Sequence, residues 1–98
     1  MGIVVKNRRS YKGDGEYIGR PSILGNPFAM KNESERMLVI RKYNDFILAN
    51  RDKDVLAELD RLTDIARDGE LVLICWCAPR PCHGDVLKEI ITKRIALK

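Results

Sequence analysis

No apolar run in this 98-residue chain approaches the ~20 residues needed to cross a bilayer, so no membrane-spanning segment is expected. The opening, MGIVVKNRRS, places its basic residues after a very short apolar piece. That is the reverse of a secretory leader, and the cytoplasm is the expected compartment. Charge of one sign is scarce too: 18 Lys and Arg against 14 Asp and Glu leave a formal net charge of +4, with acids and bases interleaved. This favours anionic partners in general and argues against duplex nucleic acid. A single histidine leaves no convincing acid-base pair. Three cysteines, an odd number packed between positions 75 and 82, do not read as a disulfide framework. Repeats, low-complexity tracts and long linkers are absent.

What remains is a balanced composition, 45% hydrophobic and 33% charged, typical of a folded soluble chain. A chain of this length buries roughly 60–65% of its extended surface, enough for one core. Residues 1–98 are therefore read as one domain. GIVVKN, with its β-branched run, predicts a buried strand; YKGDG predicts a turn, and EYIG a second short extended piece. Asn32 and Glu35 have capping-box spacing before a helix that ends near Asn50. That helix places Val39, Tyr43, Phe46 and Ile47 on one stripe, with Arg36, Arg41, Lys42 and Asp45 facing water. Leu59, Leu62 and Ala66 mark a second helix, and Gly69 stands where a left-handed C-terminal cap belongs. LVLICWC, apolar on both faces, predicts a central strand covered on both sides. A third helix follows through Val86, Leu87, Ile90 and Ile91. The expected fold is a small α/β sandwich with a short, mostly parallel sheet flanked by about three helices.

Two stretches carry chemistry. GRPSILGNPF combines glycine and proline breakers with apolar anchors, which makes a stiff, shaped loop rather than a linker. Arg20 and Ser22 put donors on it, Leu24 and Phe28 pin it, Asn26 either braces the loop or reads a ligand, Gly25 shapes it, and Tyr17 flanks it. CWCAPRPCHGD is a strand-to-helix junction of the kind that gathers anions in α/β folds. There Arg80 offers a forked cation, Gly84 allows close backbone approach, and Cys82 and His83 open the last helix. A thiol at that position is expected to have a lowered pKa, making Cys82, His83 and Asp85 the candidate catalytic groups. Cys75 and Trp76 read as core, and Cys77 as either core or ligand contact. Zinc held by Cys75, Cys77, Cys82 and His83 is the weaker alternative, because C-x-C-x4-C-H lacks the usual knuckle spacing.

Together, YIGRPSILGNPF and CWCAPRPCHGDVL resemble the domain of unknown function 4326, a small domain of bacteria and their phages. The residues carrying the resemblance are Arg20, Ser22, Gly25, Asn26, Pro27 and Phe28 in the first motif, and Cys77, Pro81, Cys82, His83, Gly84 and Asp85 in the second. The resemblance implies a compact α/β domain with both motifs converging on one site, and a phage or mobile-element origin, hence a host cytoplasm. It implies no activity.

The leading expectation is a binding module for a phosphate-bearing small molecule, a nucleotide or nucleotide-derived signal, acting as a sequestering anti-defence protein. Its ligand contacts would be Tyr17, Arg20, Ser22, Gly25, Asn26, Cys77, Arg80, Cys82, His83 and Gly84. The alternatives are a nucleotide-processing hydrolase or glycosyl transferase using Cys82, His83 and Asp85, and a zinc-stabilised adaptor. No cofactor is expected. So small a chain cannot easily enclose a ligand alone, so a homo-oligomer is.

Overall fold

The computed structural model describes residues 2–97. Three strands, β1 (Gly2–Asn7), β2 (Glu16–Tyr17) and β3 (Glu70–Cys75), accompany three helices, α1 (Arg36–Ala49), α2 (Lys53–Asp68) and α3 (His83–Ala96). A single 3-10 turn, Glu33–Glu35, leads into α1. All strand pairs are parallel in the order β1-β3-β2, with β1 running from Gly2 opposite Glu70 to Asn7 opposite Cys75, and Tyr17 opposite Ile74. The fold is thus a small α/β globule, with the most apolar strand in the centre as its composition demands.

The core lies on one face of that sheet. Leu71, Leu73 and Cys75 alternate along β3, as side chains on one face must, and meet Tyr43, Leu62 and Leu87 from the three helices. On the opposite face Ile74 is fully buried, yet beneath a loop and not a helix: a Cβ on Gly15 would stand 2.8 Å from Ile74 Cδ1 and 2.9 Å from the Val72 carbonyl oxygen. The β1–β2 connection must pass over β3 to reach the far edge. That crossing replaces the second covering layer expected from the strand's double-sided apolarity.

Two helix ends differ from their sequence signals. Asn32 makes no side-chain cap; its oxygen meets Ser34 Oγ instead, and Glu35 accepts from the Lys31 N–H at 2.9 Å. Gly69 closes α2 in extended backbone (φ −177°), not in the left-handed region, because the chain passes directly into β3. The start of α2 is conventional, Asp52 accepting from the N–H groups of Asp54 and Val55.

Candidate functional site

Parallel strands end on a common edge, so the connections leaving them gather there. The segment after β2 is fixed from within. Ile18 and Leu24 are buried, Tyr43 donates its hydroxyl to the Leu24 carbonyl at 2.8 Å, and Ser22 Oγ accepts from the Leu24 N–H at 3.2 Å. Asn26 Oδ1 accepts from the Phe28 N–H at 2.9 Å while Nδ2 donates to the Val39 carbonyl at 3.4 Å. Preorganised in this way, the loop forms one wall of a cavity of about 290 Å³.

That cavity brings Arg20 and Asn26 of the first motif together with Cys77, Cys82 and His83 of the second. Arg36, Trp76 and Phe28 complete its principal surfaces, and among the described residues no Asp or Glu lines it. Tyr17, Ser22, Gly25, Arg80 and Gly84 do not line it. Tyr17 stands behind it, donating to the Arg20 carbonyl at 2.8 Å and accepting from Trp76 Nε1 at 2.9 Å. Gly25 sits against Arg20, where a Cβ would lie 3.0 Å from the backbone nitrogen. Gly84 is buried, and its missing side chain makes room for Val5 and Ile18 rather than for a ligand: a Cβ would be 2.9 Å from Val5 Cγ1. Arg80 turns away to Glu33, at 2.9 Å.

His83 is buried and packs edge-on against Tyr43, ring centroids 5.1 Å apart. Its Nε2 lies 2.7 Å from the Ile18 carbonyl oxygen, and since a carbonyl only accepts, Nε2 carries the proton. Burial pushes the imidazole pKa down, the Ile18 hydrogen bond opposes this, and the nearby Arg20 charge adds to the depression. The ring is therefore neutral, with Nδ1 left as a lone-pair acceptor.

The thiols are arranged against expectation. Cys82 is the N-cap of α3, its sulfur accepting the Gly84 N–H at 3.3 Å, and it lies 3.5 Å from the Cys75 sulfur. Donation to Cys75 and burial push the Cys82 thiol up, so the helix start does not make it a thiolate. Cys75 is the one drawn down, chiefly by the Cys82 hydrogen bond and against its own burial, with N–H groups of Ala78 and Cys77 assisting. Asp85 completes the capping box by accepting from the Cys82 N–H at 3.0 Å, which removes it from any acid-base role at the cavity. Among the described residues no group of three or more His, Cys, Asp or Glu side chains is arranged to hold a metal ion. The four residues of the zinc alternative are otherwise engaged: Cys75 with Cys82, His83 with Ile18, and Cys77 beside Arg36.

Arg36 and Trp76 were not singled out as site residues by the sequence. Arg36 does not face open water: its guanidinium binds Glu33 at 2.6 and 2.7 Å, donates to the Pro81 carbonyl at 2.9 Å, and has its pKa raised by Glu33 first and Cys77 second. The signal was present, because Arg36 precedes Val39 by three and Tyr43 by seven, a cation on the buried stripe of its own helix. Trp76 is 52% exposed and so not core. Its indole N–H bond to Tyr17 fixes the ring at the cavity wall.

The chain belongs to the family described as domain of unknown function (DUF4326), whose family model matches residues 4–93. No curated protein and no solved structure matches it.

Proposed function

We propose that the 290 Å³ cavity binds a phosphate-bearing small molecule of the nucleotide class, one nucleotide unit in size. The observation that carries this reading is the charge of the lining: among the described residues it holds the unpaired guanidinium of Arg20, that of Arg36, which Glu33 grips from outside, and no carboxylate. Among the described residues Arg20 has no carboxylate partner, so its charge is open to a phosphate. The neutral His83 offers Nδ1 as an acceptor for a ligand hydroxyl or N–H. Trp76, its edge tied to Tyr17, presents a rigid π-face suited to stacking a base. The volume sits at the lower end of the ~300–1,000 Å³ range of ligand pockets, which favours one nucleotide unit over a bulky cofactor.

Binding without turnover is the leading reading, because Asp85 and Cys82 are committed to capping α3. The unprotonated Nδ1 of His83 supports a second reading, in which it acts as general base on a bound nucleotide. Both are tested by incubating the protein with a panel of nucleoside monophosphates, recording its thermal transition and analysing supernatant and heat-released ligand by mass spectrometry. Ligand at a hundredfold excess over its Kd raises stability by about 2.7 kcal/mol, a Tm increase on the order of 10 °C for a chain this size. Unchanged nucleotide recovered from the protein supports binding; altered nucleotide that disappears with His83→Ala supports catalysis. No shift with any nucleotide at millimolar concentration overturns both.

A further inference from the structure

A second cavity, of about 400 Å³, adjoins the first, and the two share Arg36, Trp76 and Cys77 as a common wall. Its other surfaces come from the end of β1 and from the turn after β3: Asn7, Arg9, Pro79 and Arg80 among them. Asn7 shapes this cavity by donating from Nδ2 to the carbonyls of Trp76 at 3.1 Å and Ala78 at 2.9 Å. Among the described residues no carboxylate lines it. Arg9 is exposed and, among the described residues, has no ion-pair partner. Glu33 lies just outside, held by both Arg36 and Arg80, so the structure already seats one anionic group between two of the site's cations.

We propose that this second cavity takes a second phosphate-bearing unit of the same ligand, which makes the ligand class a dinucleotide: two nucleotide units joined by a phosphodiester. The inference rests on the nucleotide reading of the first cavity. Each cavity has a volume near the lower bound for a ligand site, so each suits one unit. The shared wall supplies what a linkage between units requires, the Arg36 guanidinium, for which the phosphodiester would compete with Glu33, and an aromatic face for a base. Alongside Arg9 and Arg80 the second cavity carries the apolar surfaces of Ala78 and Pro79, which fit a base and ribose better than a bare polyphosphate chain.

Isothermal titration of the full chain with 5′-phosphorylated mononucleotides, linear 5′-phosphorylated dinucleotides and nucleoside triphosphates tests this. The dinucleotide is expected to bind at least tenfold more tightly than the better of its two component mononucleotides and more tightly than the triphosphates. Arg9→Ala is expected to reduce dinucleotide affinity about tenfold and leave mononucleotide affinity unchanged; among the described residues only the Arg9 backbone N–H is hydrogen-bonded, to Asn7 Oδ1, so the fold should not depend on the side chain. Glu33→Gln, which releases Arg36 and Arg80, is expected to tighten the dinucleotide. Mononucleotide binding with no dinucleotide advantage, a triphosphate preference, or an Arg9→Ala effect that is equal for both ligands or absent overturns the inference and leaves the single-unit reading standing. Absence of binding by every nucleotide brings down that reading and this one with it.

Discussion

His83 is kept neutral by its burial and bound to the Ile18 carbonyl through Nε2, and this ties the loop after β2 to the start of α3. The arrangement has a pH signature. The unfolded imidazole takes up a proton near pH 6.5, whereas the folded ring resists it to a lower pH. As pH falls below about 6.5 the unfolded chain binds the extra proton first, so this contribution to stability is intact above that pH and declines below it. The decline is at most about 1.4 kcal/mol per pH unit for one proton. Urea unfolding between pH 7 and pH 5.5 should show it in the wild type and lose it in His83→Gln, whose side-chain amide can still donate to Ile18. Identical slopes in the two proteins would contradict the assignment of a neutral, buried ring.

At the scale of the element, the start of α3 shows why the second motif looked like an anion site and is mostly something else. Glycine, cysteine and aspartate around a helix N-terminus suit ligand approach, but here they close the helix and seat it on β1. Cys82 and Asp85 form the capping box, and Gly84 admits Val5 and Ile18. Gly84→Ala sets a helix-propensity gain of about 1 kcal/mol against an overpacking cost of about 1–3 kcal/mol. With Val5 Cγ1 at 2.9 Å and Ile18 Cδ1 at 3.1 Å from the new methyl, the cost should win, by about 1 kcal/mol in denaturant unfolding. A variant as stable as the wild type would mean that β1 and α3 are free to separate. Helix α1 carries the opposite signal, apolar residues outside the core: Met37 is 62% and Leu48 56% exposed beside a groove of about 590 Å³ against α3. A helix apolar on more than one face is usually covered, so a second copy of the chain is expected on this side. Light scattering should give the mass of a dimer, reduced to that of a monomer by Leu48→Glu. A wild-type protein that scatters as a monomer at the highest concentration measured would refute it.

For the molecule as a whole, the deciding feature is that all three strands run the same way. Their carboxyl ends deliver Arg9 after β1, Arg20 and Asn26 after β2, and Trp76, Cys77 and Arg80 after β3 to one edge of the sheet. This is where open parallel sheets place their ligands. The number and order of elements were legible in the sequence because they rest on local causes: β-branched runs, helical spacing of Leu59, Leu62 and Ala66, and breakers between them. So was the pairing of the two motifs, through their resemblance to one family. Side-chain direction at the edge was not legible, since it depends on neighbours far away in the chain. Arg36 is turned inward by Glu33 and the Pro81 carbonyl, 45 residues on, and Trp76 is held by Tyr17, 59 residues back. The thiol that is drawn down is Cys75 and not Cys82, because the sulfurs meet only when β3 and α3 pack. The amino-acid order alone thus determined the elements and the two motifs, whose causes act over a few residues. Which side chains face the cavities and which only hold the fold together was decided by tertiary structure, because burial and long-range hydrogen bonds exist only once the sheet and its helices have come together.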